Sequence, residues 1–274
     1  MKKECKLTFL CEDQARMGFL DKKFSGQHGL SIFIQGEKNV LFDTGPSEIV
    51  LYNAALAGVN LDSADLIVLS HGHWDHADGL GPLSNAGIRK PLLLHPMAFR
   101  DRRKPSGQFN GMAMSRDQIM ERFDLIESSG PYKVSENMWF LGEIPRENDF
   151  ESQSTSYYYM EDGEKRPELL PDDTALAVTT PNGLVVITGC SHAGICNICE
   201  YAKKVTGQGC IRTVIGGFHL LDDSKVVEKT IDYFRGQGVE SLFPNHCTAL
   251  PALSAFYQAF KINRLCVGDE LEIS

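Results

Sequence analysis

Short apolar runs separated by turn residues organise the first third of the chain. Runs rich in Leu, Ile, Val and Phe predict strands at residues 6–11, 30–35, 40–43, 65–70 and 91–95. A helix is predicted over residues 47–57, because Ser47 can cap its start and Gly58 follows its end. The run at 65–70 is continuous rather than alternating, which is typical of a buried strand.

The second half alternates strands and helices more regularly. Strands are predicted at residues 138–142, 157–160, 213–215 and 241–243, helices at 194–204, 224–234 and 249–260, and a closing strand pair at 265–273. The turn Pro181-Asn182-Gly183 predicts a hairpin that joins strands at 174–180 and 184–188. Because both halves run from strands into alternating strands and helices, the predicted fold class is α/β, with two sheets flanked by helices.

Composition narrows the class of protein. The chain has 274 residues, 42% hydrophobic and 23% charged, which suits a folded domain and excludes a disordered chain. A formal net charge of −9 argues against nucleic acid as a partner. No apolar run reaches the roughly 18 residues of a membrane span, and charged residues interrupt the N-terminal segment where a signal peptide would be apolar. We therefore expect a cytoplasmic protein whose eight cysteines are thiols or metal ligands rather than disulfides.

Residues 99–123 form a locally basic segment in this acidic chain. We predict a helical, lid-like insertion there, in which Arg102, Arg103 and Lys104 could close over an anionic substrate. A solvated surface helix is the simpler explanation for each arginine taken singly.

A histidine-rich segment at residues 70–79 directly follows a predicted buried strand. Four metal-binding side chains, His71, His73, Asp75 and His76, fall within it. Imidazole and carboxylate are ligands of zinc and also of iron and manganese. In a turn that leaves a strand, His71 and His73 project to one side and can bind one ion, while Asp75 and His76 can bind a second. The segment therefore predicts a metal centre.

Three further histidines, His192, His219 and His246, each follow an apolar run and a sharp turn containing Gly or Pro. One loop cannot close two metal sites, so other strand ends must supply ligands. Any one of these histidines alone would more often be structural. Their repeated pattern favours a shared role in one metal cleft.

Two motifs resemble those of a known family. His-Gly-His-Trp-Asp-His at 71–76 resembles the HxHxDH signature of the metallo-β-lactamase superfamily, and Val-Leu-Phe-Asp-Thr-Gly at 40–45 resembles its first motif. Other segments are similar to a subgroup of metallohydrolases that resemble dihydropterin-ribofuranosylaminobenzene-phosphate synthase; they lie at 27–31, 189–194, 216–220 and 245–248.

The resemblance implies a four-layer αββα sandwich in a single domain over residues 1–274, with two similar halves sharing one metal cleft. It also implies a pterin-like or phosphorylated substrate. It assigns His71 and His73 to metal 1, and Asp75, His76 and His246 to metal 2.

The middle of the chain departs from the superfamily pattern. Where a glycine and a bridging carboxylate are usual, the chain reads Gly189-Cys190, and no histidine lies in the preceding stretch 169–174. We infer that His192 supplies the missing imidazole of metal 1. Cys190 is either a soft ligand of metal 2 or a small buried residue. Asp173 is an outside candidate for the bridging carboxylate.

Two features are interpreted as supporting structure. Asp43 is expected to accept hydrogen bonds that hold the histidine loop rather than to bind metal, the alternative being a turn residue that caps the helix at Ser47. Cys196 and Cys199 form a C-x-x-C pair on a predicted helix. Without a second such pair, core packing is favoured over a redox role.

Together these expectations define a metal-dependent hydrolase of a small, anionic, phosphorylated or pterin-like molecule. Two divalent ions, zinc first and iron or manganese as alternatives, would lower the pKa of a shared water. Asp75 would orient that water or accept its proton, and His219 would donate to the leaving group, hold a phosphate or serve as an added ligand. A homo-oligomer is compatible with the sequence. A di-iron oxidoreductase and a non-catalytic metal-binding sensor are the alternatives on the same fold.

Overall fold

The secondary structure is taken from a computed structural model, which describes residues 5–17, 23–222 and 224–273. The strands are β1 (Cys5–Cys11), β2 (Ser31–Gln35), β3 (Val40–Phe42), β4 (Leu66–Val68), β5 (Pro91–Leu94), β6 (Arg102–Arg103), β7 (Asp124–Glu127), β8 (Tyr132–Lys133), β9 (Met138–Phe140), β10 (Tyr158–Glu161), β11 (Glu164–Pro167), β12 (Ala175–Thr180), β13 (Gly183–Thr188), β14 (Ile211–Gly217), β15 (Ser241–Asn245) and β16 (Glu270–Ile273). The helices are α1 (Ile49–Ala57), α2 (Trp74–Ala77), α3 (Leu80–Asn85), α4 (Arg116–Arg122), α5 (Ile195–Thr206), α6 (Lys225–Gln237) and α7 (Leu250–Phe260).

The chain divides into two compact units. Of the described residues, those up to 129 together with 156–168 and 266–273 form the first unit, and those within 130–155 and 169–265 form the second. Each unit has its own main sheet and its own apolar core. The prediction that both halves form one domain around one metal cleft stays a prediction.

The main sheet of the first unit has the strand order β16-β1-β2-β3-β4-β5-β7. Its pairs are antiparallel from β16 to β3 and parallel from β3 to β7. Phe42 lies opposite Val68, and Val68 lies opposite Leu93. The carboxyl ends of β3 and β4 are therefore adjacent, and ligand sites in open α/β sheets form at such ends.

The main sheet of the second unit has the order β15-β14-β13-β12-β9-β8, in which β13, β14 and β15 are parallel. Thr188 pairs with Gly216, and Gly217 pairs with Asn245. The loops that carry His192, His219 and His246 therefore leave the same edge of this sheet. The core beneath them includes buried apolar residues of α5, α6 and α7.

The basic segment at 99–123 differs from its prediction. The helix α4 occupies only its C-terminal part, whereas Arg102 and Arg103 form β6, which pairs with β10 in a small sheet of order β11-β10-β6. The turn at Pro105-Ser-Gly107 interrupts any helix between these two elements. The prediction of a helical insertion is therefore wrong for β6 and its turn.

Arg102 is fully buried rather than poised over a substrate. Its Nε lies 3.8 Å from a carboxylate oxygen of Glu168, which is also fully buried, and its Nη2 donates to the carbonyl of Met97. Arg100 lies 3.4 Å from the other oxygen of the same carboxylate, and Arg103 pairs with Asp101 at 2.9 Å. The prediction that Arg102 contacts substrate is therefore wrong, because a buried guanidinium needs a paired carboxylate.

Smaller differences concern element ends. Helix α1 begins two residues later than predicted, with Glu48 as its N-cap, although Ser47 Oγ still accepts from the Ile49 amide at 3.3 Å. Gly58 ends it in the left-handed conformation, as predicted. Of the predicted closing strand pair only β16 forms. Within the described ranges, no helix combines the length and apolar character needed to cross a membrane.

We expect Glu168→Gln to destabilise the protein by about 3 kcal/mol, because it removes the negative charge beside two arginines, one of them fully buried. Chemical denaturation measures this loss as a lower free energy of unfolding. The matched control is Glu164→Gln, which breaks the exposed pair with Arg166 and should cost less than about 1 kcal/mol. Equal effects of the two substitutions would contradict the assignment.

Candidate metal centre

The histidine loop of the first unit leaves the carboxyl end of β4 and enters α2 one turn later. His73 is the N-cap residue of α2 and has extended backbone, while Asp75 and His76 lie within that helix. A Cβ on Gly72 would lie 2.0 Å from the carbonyl oxygen of Ala98, so only glycine fits where the loop turns. His71, His73, Asp75 and His76 are all buried.

Asp43 fastens this loop to the end of β3. Its Oδ1 accepts a hydrogen bond from the Ser70 amide, and its Oδ2 accepts from the Ser70 hydroxyl, each at 2.7 Å. The same Oδ2 lies 2.7 Å from Nδ1 of His76. Asp43 thus holds both ends of the loop and uses its carboxylate oxygens for protein contacts.

These hydrogen bonds fix which ring nitrogens face the centre. Nδ1 of His76 donates to Asp43, which leaves Nε2 with the lone pair. The Ser70 hydroxyl donates to Asp43, so it accepts from Nδ1 of His71, and Nε2 of His71 also carries a lone pair. A partner on one ring nitrogen that orients the other is the usual arrangement around metal-binding histidines.

Two donor pairs result. Nε2 of His71 lies 2.9 Å from Nδ1 of His73, which is close to the roughly 3 Å between two nitrogens bound to one zinc ion with bonds of about 2.0–2.1 Å. Oδ2 of Asp75 lies 3.7 Å from Nε2 of His76. The donors and their spacing fit divalent metal ions, so the four residues that the sequence predicted as ligands are brought together in pairs.

His28 lies beside the second pair. Its Nε2 is 3.4 Å from Oδ2 of Asp75, and its Nδ1 is 3.1 Å from Asp13. The ring is half exposed and lies 6.0 Å from the ring of Trp74. His28 therefore lines the solvent side of the Asp75 carboxylate.

Strained turns follow the parallel strands of the second unit. Ser191, His219 and His246 have φ values of 64°, 48° and 47°, which non-glycine residues seldom adopt. Each stands just beyond β13, β14 or β15. Such backbone clusters at functional sites, where surrounding contacts hold it in place.

The second unit brings two of its predicted site residues together. The ring centroids of His192 and His219 lie 4.2 Å apart. The carbonyl of His192 accepts a hydrogen bond from the Ser152 hydroxyl, which anchors the loop. His246 is buried at the end of the neighbouring strand.

Asp173 supports the same loop. Its Oδ2 accepts a hydrogen bond from the Ala193 amide at 2.9 Å. Burial raises the pKa of Asp173 to about 7, against the opposing effect of hydrogen bonds from the Ala193 and His192 amides. Asp173 thus binds backbone through one oxygen, and its predicted role as a bridging carboxylate stays a prediction.

A group of sulfur and nitrogen donors, which sequence reasoning missed in part, lies beside His219. The donor atoms of Cys190, His219 and Cys247 all lie within 4.8 Å of one another. Burial would raise the pKa of the Cys247 thiol, but hydrogen bonding to Cys190 and His219 lowers it overall. Burial would lower the pKa of His219, but contact with Cys247 raises it overall. The sequence signal for Cys247 was its position directly after His246.

The C-x-x-C pair lies in the core instead. Cys196 and Cys199 are buried on α5 among apolar residues of the second unit. Burial raises the pKa of both thiols above the ordinary value. These are the properties of packed rather than reactive cysteines.

Comparisons with known proteins agree with this fold. The sequence model of one protein family, the metallo-beta-lactamase superfamily, matches residues 26–224. The 7,8-dihydropterin-6-methyl-4-(beta-D-ribofuranosyl)-aminobenzene-5'-phosphate synthase of Methanocaldococcus jannaschii is 33% identical over 272 residues, covering 93% of this chain and 92% of its own length. An uncharacterized protein of the same organism is 34% identical over 240 residues, covering 86% and 90%.

A solved structure resembles this chain over nearly its whole length. The crystal structure of a metal-dependent hydrolase of the beta-lactamase superfamily superposes with a TM-score of 0.86 at 32% identity, covering 98% of this chain and 99% of that one. The chain therefore belongs to the metallo-β-lactamase superfamily. The predicted α/β fold class of that type is confirmed.

We expect Asp43→Asn to weaken zinc binding by roughly 10–100-fold, because the amide cannot accept from both Ser70 and His76 as the carboxylate does. Calorimetric titration of the metal-free protein with Zn²⁺ measures the affinity. Asp62→Asn, an exposed aspartate of the same unit, is the control and should bind zinc like the unmodified protein. Unchanged affinity of the Asp43 variant would show that the loop keeps its geometry without this carboxylate.

Proposed function

We propose that this protein is a metal-dependent hydrolase with a dinuclear centre that acts on a small anionic substrate. One observation carries this proposal: the buried loop at 71–76 presents two pairs of metal donors whose ring nitrogens are oriented by Ser70 and Asp43. Membership of the metallo-β-lactamase superfamily and the likeness to a solved metal-dependent hydrolase support it.

The proposed ligands come from the histidine loop and from two strand ends of the second unit. For metal 1 they are His71, His73 and His192; for metal 2 they are Asp75, His76 and His246, with Cys190 as a further candidate. His192 and His246 are included because their loops leave the same edge of the main sheet of the second unit. Zinc suits this set of imidazoles and carboxylate best, and iron and manganese are the alternatives.

The chain's own residues have distinct tasks in this proposal. When bound, two divalent ions lower the pKa of a water and polarise a substrate oxygen. Asp75 would bind metal through one carboxylate oxygen and orient the water or accept its proton with the other; its Oδ2 lies beside the half-exposed ring of His28. Asp43 and Ser70 hold the rings of His76 and His71 in their orientations. His219 stays predicted as a proton donor, a phosphate-binding group or an added ligand.

The substrate class is proposed from a relative. The 33% identical relative is named for a phosphorylated dihydropterin compound, and the resemblance in this chain runs over nearly its whole length. We therefore favour a phosphorylated or pterin-like small molecule. A cytoplasmic location and a homo-oligomeric state stay predictions.

The name of that relative favours a second candidate function. The relative is named as a synthase. The same centre would then catalyse formation of a phosphorylated dihydropterin compound rather than hydrolysis. Binding of that compound to the metal-loaded protein, without turnover of any hydrolase substrate, would favour synthesis. A di-iron oxidoreductase and a metal sensor are the remaining alternatives.

We expect the zinc-loaded protein to hydrolyse at least one of the phosphodiester, lactone and thioester substrates in a screen, with metal content measured on the same preparation. His73→Ala should lose metal and lower kcat/KM by at least roughly 100-fold. Loss of a residue that only hydrogen-bonds a metal ligand can already cost that much, and His73 is itself a proposed ligand. His95→Asn is the control, because His95 is a buried histidine that caps the turn Pro96–Phe99 through the Met97 amide, a role that asparagine can take.

Two outcomes would count against the hydrolase. The fully loaded protein could turn over no substrate of any class, or His73→Ala could lose its metal and keep its activity. Iron with redox activity in place of zinc would favour the oxidoreductase.

A further inference from the structure

Cys190, His219 and Cys247 come from three successive parallel strands of the second unit. Cys190 follows β13, His219 follows β14 and Cys247 follows β15. Their donor atoms lie within 4.8 Å of one another. We propose that these three residues of the second unit form a thiolate-rich metal site, additional to the two ions proposed above, for a soft or borderline cation such as Zn²⁺.

Hydrogen bonds hold the three loops at this spacing. The Gly217 amide donates to the Gly189 carbonyl at 2.9 Å, and the Ser191 hydroxyl donates to the Gly217 carbonyl at 2.6 Å. The Phe218 amide donates to the Thr248 hydroxyl at 3.0 Å, directly after Cys247. The site is thus built on hydrogen bonds between neighbouring strand ends.

Gly217 makes room for the sulfur of Cys247. A Cβ at this glycine would lie 2.6 Å from that sulfur and 2.5 Å from the Gly189 carbonyl oxygen. Any other residue would push the third donor away from the first two. His219, two residues further on, has left-handed backbone with φ of 48°.

The donor set suits the proposed cation. Two cysteine sulfurs and one histidine nitrogen are a known protein ligand set for zinc with an open fourth position, with bonds of about 2.3 Å to sulfur and 2.0–2.1 Å to nitrogen. Cys190 is only 3% exposed, and each cysteine would bind as a thiolate and release its proton to solvent.

The other buried cysteine pair shows what packing alone looks like. Cys196 and Cys199 lie among apolar side chains and belong to none of the donor groups found in the described residues. The cluster at Cys190 differs because an imidazole completes it. For His219, this proposal takes up the role of an added ligand that the sequence left open. For Cys190, it replaces the candidacy for metal 2 with a role in this site. It stands whether or not the hydrolase proposal holds.

The test uses Co²⁺, which can occupy a zinc site and gives near-ultraviolet charge-transfer absorption only when thiolates bind it. Metal-free full-length protein is titrated with Co²⁺. We expect this absorption in the unmodified protein, its loss in Cys190→Ser/Cys247→Ser, and at least a twofold lower intensity in either single variant. Cys210→Ser is the matched control, because Cys210 is an exposed cysteine of the same unit outside the cluster.

Independence from the histidine loop is tested with His73→Ala/Asp75→Ala, which removes one ligand from each metal of the proposed dinuclear centre. The near-ultraviolet absorption of thiolate-bound Co²⁺ should persist in this variant. Its loss would overturn the proposal of a distinct site, because the thiolates would then belong to the dinuclear centre. Thiolate absorption in an unmodified, metal-loaded protein that hydrolyses no substrate would leave this site standing and count against the hydrolase alone.

A second measurement needs no substitution and covers variants that fail to fold. The unmodified protein is alkylated with and without Zn²⁺, and mass spectrometry locates the modified cysteines. We expect Zn²⁺ to protect Cys190 and Cys247 but not Cys210. Equal modification with and without Zn²⁺, absence of any sulfur absorption with Co²⁺, or a disulfide between Cys190 and Cys247 in the metal-loaded protein would each overturn the proposal.

Discussion

The histidine loop of the first unit depends on one buried carboxylate, that of Asp43. Burying a charge costs several kcal/mol unless hydrogen bonds replace its hydration. Asp43 recovers that cost by accepting from the Ser70 amide, the Ser70 hydroxyl and the His76 ring. Because the Ser70 hydroxyl is committed to Asp43, it can only accept from His71, so the tautomer of a ring that Asp43 never touches is also set by this carboxylate. The tautomers of His71 and His76 thus both depend on this one carboxylate.

Strain at strand ends is the second constraint, and it recurs in both units. Asp43, Ser191, His219 and His246 all have left-handed backbone directly beyond parallel strands. Each such residue costs roughly 1–3 kcal/mol. In the second unit, close packing offsets this cost: Gly217 approaches the Gly189 carbonyl so nearly that no side chain would fit. The sheets provide the rigid edges from which short loops can hold donors at fixed distances.

How much the sequence could predict depends on how far apart the interacting residues lie along the chain. The histidine loop was predictable because its donors fall within residues 71–76, immediately after a buried strand. The β12–β13 hairpin was predictable from its turn, with Thr180 opposite Gly183. The strand and buried arginine of the basic segment were not predictable, because their partner Glu168 lies 68 positions beyond Arg100. An arginine whose partner lies so far along the chain is expected at the surface. Cys247 was overlooked for the same reason, since its contact with Cys190 spans 57 positions.

The histidine loop and the cluster of Cys190, His219 and Cys247 prefer different metal ions. This difference limits what the metal content of the whole protein says about the reaction. The histidine loop offers imidazole and carboxylate, which accept zinc, iron or manganese, whereas thiolates select zinc or copper(I). Zinc in the whole protein is therefore a sum over both sets and does not by itself identify the metal at the histidine loop. The oxidoreductase alternative is excluded only when that metal is measured without the thiolate site. Metal analysis of Cys190→Ser/Cys247→Ser makes this separation, because the variant retains Asp43, the whole histidine loop and their hydrogen bonds.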